Sequence, residues 1–381
     1  MQNENQISIY NPNLIDFTNE TIFFGEGKNT QRYDVLKYPF FDNINQKMLG
    51  QDWQHDEINC VPDKQQWPQM SSAMQHTFTS VLGKLSLLDS LAGRAFITIL
   101  GPIVTLPEFE ACILTWQQFE CNRHSRSYTH ILRSVYDNPT EVFDNFFKIN
   151  ELISLAKIIS GPYNDCMEKV SSYDYKAMRN QEITKDELFE VKKSIIRMFL
   201  EINILEGIRF YSGFASIWAM HYGSGFAERT SKILKLICRD ENDHLKITQF
   251  LLKVLKTSND EGFVEAYEHW QPQIREIYRN AAEQEFEWID YIFKEGGYLG
   301  MNADIAKSYI KFLTNKRLHA IGEKAVFEGY NKNPIPWVDS YIMSDLNEEL
   351  PQEGEIQNYR MNILNQDISD QEIRVLSSKL K

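Results

Sequence analysis

The feature that most constrains this sequence is a carboxylate inside the apolar stripe of several long helical segments. Between Ile195 and Ile217, apolar side chains recur every three or four residues, and Glu206 occupies the middle of that stripe. The segment that contains Asp89 has the same arrangement. A stripe with this period is the buried face of a helix. An isolated carboxylate there costs several kcal/mol unless it is paired or binds a metal.

A third segment combines an acid with a histidine. Glu241 and His244 stand three residues apart on one helical face, the spacing by which one helix supplies two ligands to one metal. A single buried acid also has a simpler explanation, a salt bridge to a residue such as Arg94 or Arg209. Several helices that each direct an acid inward favour convergence on metal ions over separate salt bridges.

The stretch FECNRHSRSY raises a question of spacing, because Glu120 precedes His124 by four residues instead of three. Each four-residue step overshoots a helical turn by about 40°, so the two side chains would diverge in a regular helix. A one-residue π bulge between them lets both point inward, and such bulges often lie at functional sites. The alternative puts the insertion upstream of Glu120 and places Cys121 three residues before His124. We favour the bulge, because a thiolate is a poor bridge for hard metals that activate dioxygen.

The helical periodicity as a whole predicts an all-α bundle. Helical patterns cover about 69–96, 107–136, 140–171, 184–221 and 226–256, with further helices to about 330 and one strand-like run at 7–10. Lone carboxylates on two helices, with a Glu/His pair on each of two others, form the ligand pattern of ferritin-like di-metal bundles. Iron or manganese suits carboxylates with one imidazole per metal.

Changes of composition predict three regions. Residues 1–68 contain short aromatic pieces split by Asn, Gly and Pro, and are predicted to be an arm lying on the body. Residues 69–335 are predicted to form the ferritin-like di-metal domain. Residues 336–381 are polar and acidic and are predicted to be a mobile tail.

Charge and composition exclude several classes of partner. The net charge of −13 and the pI near 5.2 argue against a nucleic acid or an anionic membrane as the main partner. The first twenty residues have no secretion signal, so we expect a cytoplasmic protein. The five cysteines are scattered without a C-x-x-C pair, which fits reduced thiols. The sequence contains no Gly-rich phosphate loop, so no nucleotide site is expected on this chain.

Four segments give the sequence a family resemblance. They are SLLDS at 86–90, HSRSYTH at 124–130, LEGIRFY at 205–211 and RDENDHL at 239–245. In this order they resemble the small, radical-generating subunit of class I ribonucleotide reductase, and the likeness covers nearly the whole chain. The resemblance implies a homodimer that works with a separate large catalytic subunit.

The resemblance also implies a set of metal ligands. One iron would be bound by Asp89, Glu120 and His124, and the other by Glu206, Glu241 and His244, with Glu120 and Glu241 bridging. The implied cofactor is two iron ions, with a manganese–iron or a dimanganese pair as alternatives. The family has Glu-x-x-His where this sequence has one residue more. The resemblance places the added residue between the two ligands, where it changes the angle of Glu120 and leaves room for Arg123 to turn toward the site.

A radical path is implied as well. Tyr128 resembles the family's stable radical tyrosine. Trp53 and Asp240 resemble the pair that carries the radical away from the metals, and Tyr359 resembles the relay tyrosine of the tail. An apolar pocket around the radical is expected from Phe210, Phe214 and Ile237.

The implied function is to activate dioxygen at a di-iron site, oxidise Tyr128 to a radical and pass that oxidising equivalent to the large subunit, which reduces ribonucleotides. Two alternatives stay open. One is a di-metal oxidase or hydroxylase with its own substrate, against which the tail with Tyr359 argues, since such an enzyme needs no docking segment. The other is an iron-storage protein or a metal-poor scaffold.

Overall fold

The structure, a computed structural model, describes residues 10–26 and 29–342. The helices of this part are α1 (Pro39–Gly50), α2 (Val61–Gln66), α3 (Ser72–Leu100), α4 (Pro107–Gln118), α5 (Ser125–Val135), α6 (Pro139–Phe146), α7 (Asn150–Met178), α8 (Lys185–Ile204), α9 (Phe210–Ser224), α10 (Glu228–Thr257), α11 (Val264–Ile292), α12 (Ala303–Ala320) and α13 (Asp339–Ile342). Two π-helical segments, π1 (Phe119–His124) and π2 (Leu205–Arg209), join α4 to α5 and α8 to α9. Within the described residues, β structure is limited to isolated bridges. The predicted all-α class is confirmed.

Local signals set the ends of the rod formed by α8, π2 and α9. Thr184 and Glu187 form a reciprocal capping box at its start. Gly225 ends it in the left-handed region, with φ of 72°, where a residue without Cβ is not strained. The two ends of the rod are therefore defined by local sequence.

Four helical rods build the centre of the bundle. They are α3, the rod α4–π1–α5, the rod α8–π2–α9, and α10. Helix α3 packs against π1 and α9, while α10 packs against both π segments. The buried acids lie midway along these rods, so the fold brings them to one region of the core.

One predicted helix is two. The pattern over 140–171 indicated a single helix, but α6 ends at Phe146 and α7 begins at Asn150. The amide of Lys148 bonds to the carbonyl of Asn145 at 3.0 Å, which forms a tight turn. Since apolar residues run through the turn without Gly or Pro, the periodicity alone did not reveal it. The strand-like run at 7–10 lies almost wholly outside the described residues.

The N-terminal region packs closely on the body. Phe23, Phe40 and Phe41 are fully buried, and the ring of Phe23 meets that of Phe109 edge-on at 5.6 Å. At the other end, residues 336–342 also contact the bundle. The division into three regions remains a prediction. In the described part of the chain, no helix has the length and apolar character needed to cross a bilayer.

Candidate metal centre

Helix α3 buries Asp89 without a Lys or Arg partner. The side chain is fully buried, and neither carboxylate oxygen has a hydrogen-bond partner among the described residues. The candidate salt-bridge partner Arg94 is exposed and donates from Nε to the carbonyl of Ser90 at 2.7 Å. The salt-bridge explanation therefore fails for Asp89.

Segment π1 carries the extra residue as the sequence predicted. The amide of Ser125 bonds to the carbonyl of Glu120, five residues back, and this widened turn brings His124 Nδ1 to 3.3 Å from Glu120 Oε2. Cys121 is exposed and donates from Sγ to the carbonyl of Gly93 at 3.2 Å. The predicted π bulge is confirmed, and the reading that turned Cys121 toward the site is wrong.

The neighbouring Arg123 does not enter the site. Its guanidinium binds both carboxylate oxygens of Asp52, with Nε to Oδ1 at 2.6 Å and the second nitrogen to Oδ2 at 2.8 Å. The expectation that the added residue turns Arg123 toward the metals is wrong, because Asp52 offers a bidentate partner on the outer side.

Glu206 lies in a second π-helical turn, π2, which the periodicity did not lead us to predict. The signal was present, since Ile202, Glu206, Phe210 and Phe214 make three successive four-residue steps. Glu206 is fully buried. Its Oε1 accepts a hydrogen bond from Trp116 Nε1 at 3.1 Å. The same indole nitrogen lies 3.2 Å from Oε1 of Glu120, so Trp116 links the two carboxylates.

Helix α10 supplies the predicted Glu/His pair. His244 Nδ1 lies 2.9 Å from Oε2 of Glu241 and 3.3 Å from Oε1 of Glu120. Ligand atoms within 4.8 Å of one another form two overlapping groups, Asp89, Glu120, His124 and Glu241 on one side, and Glu120, Glu206, Glu241 and His244 on the other. Glu120 and Glu241 belong to both groups, as the bridging residues of a dinuclear site would.

Two other buried acids of the core, Glu285 and Glu201, are paired with cations. Glu285 binds Lys84, and Glu201 binds Arg209 at 3.1 Å. Arg209 therefore pairs with Glu201 and leaves Glu206 without a Lys or Arg partner. In contrast, both oxygens of Asp89, Oε2 of Glu206 and Nε2 of His244 have no hydrogen-bond partner among the described residues. Orphaned carboxylate and imidazole atoms that converge in a dry core fit two metal ions of the iron or manganese type.

Without metals, burial and the neighbouring charges raise the pKa of several proposed ligands, so these side chains tend to hold protons. Burial and the charge of Glu120 raise the pKa of Asp89 well above its usual value, and burial with Glu241 does the same for Glu206. Although burial opposes it, the carboxylates raise the pKa of His244 to about 9. They also raise the pKa of His124 well above its ordinary range. The histidines thus hold protons at neutral pH, which a metal must displace.

Tyr128 and the predicted relay pair lie on one side of this cluster. Tyr128 is fully buried, and burial followed by the charge of Asp89 raises its pKa well above the usual value. Trp53 Nε1 donates to Asp240 Oδ2 at 2.8 Å, and the same oxygen lies 3.3 Å from His124 Nε2. The expected pocket residues are all fully buried, namely Phe210, Phe214 and Ile237. Tyr359 lies outside the described residues.

Comparison with known proteins decides the family. The model of "Ribonucleotide reductase, small chain" matches residues 32–334. The chain belongs to this family. A ribonucleoside-diphosphate reductase subunit beta of Buchnera aphidicola (subsp. Schizaphis graminum) is 36% identical over 93% of this chain and 95% of its own length. The subunit beta of reductase 1 from Escherichia coli O157:H7 is 33% identical over 94% and 96%.

Two solved structures share the fold. The R2 subunit from Clostridium botulinum has a TM-score of 0.71 and 28% identity, covering 85% of this chain and 94% of its own. Dimanganese(II)-NrdF from Streptococcus sanguinis has a TM-score of 0.64 and 20% identity, covering 83% and 99%. The predicted ferritin-like fold is confirmed. None of these relatives is an independent oxidase or a storage protein.

Proposed function

We propose that this chain is the radical-generating small subunit of a ribonucleoside-diphosphate reductase of class I. The observation that carries the proposal is a cluster of four buried acids and two histidines without Lys or Arg partners, beside the buried Tyr128, in a chain of this family. The proposed ligands of the two metals are Asp89, Glu120, His124, Glu206, Glu241 and His244. Two irons are the proposed pair, and the dimanganese relative keeps manganese as an alternative.

The metals supply, when bound, the one-electron oxidation of a tyrosine with dioxygen as the oxidant. The protein supplies the tyrosine that is oxidised and the group that accepts its proton. Tyr128 loses one electron and its phenolic proton and becomes a neutral radical. Because its pKa is raised, the phenol does not ionise beforehand, so electron and proton leave together. Among the nearby charges, the carboxylate of Asp89 contributes most to the raised pKa of Tyr128. Asp89 is therefore the proposed proton acceptor.

Exclusion of water preserves the radical. Tyr128, Phe210, Phe214 and Ile237 are all fully buried, so the core offers no solvent to quench a phenoxyl radical. Trp116 holds Glu120 and Glu206 in fixed orientation by donating to both. Such outer contacts orient ligands and tune the metals.

The oxidising equivalent leaves through hydrogen-bonded groups. His124, Asp240 and Trp53 form a continuous chain of contacts from the cluster to the N-terminal region. Arg239 fixes the far oxygen of Asp240, with its guanidinium 3.2 Å from Oδ1. We assign the next step to Tyr359 in the tail, which docks on the large catalytic subunit. The working unit is a cytoplasmic homodimer with that partner, and no nucleic acid or membrane takes part.

Electron paramagnetic resonance tests the proposal directly. Metal-free protein treated with Fe(II) and dioxygen should show a tyrosyl radical signal and should reduce ribonucleoside diphosphates after addition of a large subunit. Wild-type protein that binds two metals without forming any radical or any mixed-valent signal would contradict the proposal. The substitution Asp89→Asn serves as a control that should lose the signal while the other five proposed ligands remain.

A further inference from the structure

Two buried cations from distant helices bind the backbone of π2. Arg317 of α12 donates from Nε to the carbonyl of Gly207 at 3.1 Å. Lys84 of α3 donates from Nζ to the carbonyl of Arg209 at 2.9 Å. Both cationic side chains are fully buried. Two buried charges therefore bind the backbone of the segment that presents Glu206.

A π-helical segment has a physical need for such donors. Its hydrogen bonds run from residue i to i+5, so an added peptide group falls out of register with the i+4 pattern on both sides. Carbonyls displaced from the regular pattern inside a dry core require other donors. Here Arg209 provides a carbonyl that accepts from Lys84 and also from Ser212 Oγ at 3.1 Å.

Gly207 makes the approach of Arg317 possible. A Cβ atom at this position would lie 2.9 Å from Nε of Arg317 and 2.9 Å from Cδ2 of Leu245. Both distances are shorter than real Cβ contacts, and Leu245 follows the proposed ligand His244. The absence of a side chain at 207 thus admits the guanidinium to the backbone.

The charge of Lys84 is balanced without involving the metal ligands. Glu285 accepts from Lys84 and, at 2.9 Å, from Ser212 Oγ. The side chain of Arg209 donates to Glu201 at 3.1 Å and to Gln284 at 2.8 Å. Since Lys84 and Arg209 each have a carboxylate partner outside the cluster, these two cations do not draw on the proposed metal ligands.

Segment π1 is held differently. Its carbonyls at Glu120 and Arg123 accept hydrogen bonds from the hydroxyls of Ser125 and Ser127, at 2.9 and 2.6 Å. These donors belong to the same rod. Segment π2 has one donor of this kind, Ser212, and is bound in addition by helices far away in sequence, so tertiary packing contributes to its geometry.

We propose that Lys84 and Arg317 are positioning residues that keep π2 open and so aim Glu206 at the His244 side of the metal centre. This positioning role rests on the proposed function in one respect, namely that Glu206 and His244 are metal ligands. Without these donors, π2 should relax toward a regular helix, and a one-residue change of register rotates a side chain by about 100° around the helix axis. Glu206 would then leave the cluster while Glu120 stayed.

Binding of Mn(II) alone tests the inference, with the ion itself as the paramagnetic probe. In Arg317→Met, the affinity for the ion beside Glu206 and His244 should fall about 10–100-fold, the usual effect of losing an outer contact. The affinity for the ion beside Asp89 and His124 should change little. Arg317→Gln keeps an N–H donor and should recover part of the loss. A crystal structure of Arg317→Met should show a regular helix over 205–209.

Two further variants separate positioning from general stability. Thr77→Val removes a buried bond to the carbonyl of Ile292, 2.7 Å long and distant from π2, and should lower Tm without selective loss of either ion. Gly207→Ala keeps the charge of Arg317 but displaces its guanidinium, and should reproduce the selective loss even if Arg317→Met does not fold.

The outcomes separate this inference from the proposed function. Equal weakening of both ions in Arg317→Met and Gly207→Ala, or no loss beyond that of Thr77→Val, would overturn the positioning role alone. Two bound Mn(II) ions in the wild type, with selective loss in the variants, would support it even if the iron-treated protein formed no radical. Fewer than two bound ions in the wild type would remove the basis of both.

Discussion

Trp53 and Asp240 are separated by 187 positions in the chain, yet a hydrogen bond of 2.8 Å joins the indole Nε1 to the carboxylate Oδ2. The same oxygen contacts His124 at 3.3 Å. The fold thus connects a residue of the N-terminal region to a proposed metal ligand through one carboxylate.

Trp53→Phe should stop delivery of the radical without stopping its formation. The substitution keeps an aromatic ring but removes the N–H group, so nucleotide reduction should fall about hundredfold or more, while metal content stays unchanged. Activity assays with the large subunit, together with the Tyr128 signal, measure both effects. Trp218→Phe is the control, because it loses a similar bond, to Ser231, outside the relay. Full activity in Trp53→Phe would exclude this route.

Tyr128→Phe should abolish the radical and the reductase activity while the protein stays folded. The hydroxyl has no hydrogen-bond partner of normal geometry among the described residues, so the free energy of unfolding should change by no more than about 1 kcal/mol. Tyr163→Phe is a matched control, since its buried hydroxyl also lacks such a partner. Retained activity in Tyr128→Phe would mean that the metals themselves store the oxidising equivalent.

Deletion of Asn122 should restore the family's Glu-x-x-His spacing and convert π1 to a regular helix. Glu120 and His124 would then stand three residues apart and still face the cluster, so two metals should bind with affinities within about tenfold of the wild type. Metal titration and a crystal structure check this expectation. Loss of the ion beside His124 would show that the rest of the site has adapted to the longer segment.

Metal binding should strengthen as pH rises. In the metal-free protein His244 has a pKa of about 9, above its ordinary 6.5, so its proton stabilises the folded state fully below pH 6.5. That stabilisation is lost as pH rises through 9. A metal needs the neutral imidazole, so its affinity should increase over the same interval. Calorimetry in buffers of different ionisation enthalpy should detect released protons; none released at pH 7 would contradict the assignment of His244.

The tail should be required for the partner and not for the core. Truncation before Pro351 removes Tyr359 and a polar segment with spaced apolar residues that a groove on the large subunit could accept. Reductase activity and partner binding should be lost, while the Tyr128 signal remains. A synthetic peptide of the tail should compete with the intact protein. An unaffected truncated protein would exclude docking by this segment.

Periodicity indicated which acids are buried, because a buried acid interrupts an apolar stripe visibly. Glu120 and His124 also revealed π1, since two expected ligands were out of phase. The same overshoot around Glu206 passed unnoticed, because no second ligand on that rod conflicted with it. The hydrophobic periodicity predicts which face of a helix is buried. It does not predict which buried acid will form an ion pair with a given Lys or Arg.

Arg209 illustrates that limit. The sequence made it a candidate partner for a buried acid, and the structure pairs it with Glu201 instead of Glu206. Lys84 and Glu285 meet although 201 positions separate them, and nothing local in either helix indicates the contact. Such pairs are decided by how helices pack, which the periodicity of a single helix does not contain.

The exposed thiol on π1 offers a chemical handle. Of the five cysteines, Cys121 alone is exposed, and it follows the proposed bridging residue Glu120 directly. A maleimide fluorophore or a nitroxide attached there would report on the widened turn without any engineered cysteine. Partial burial raises the pKa of this thiol, so labelling should be faster in mildly alkaline buffer. The widened turn therefore carries a native attachment point for spectroscopy.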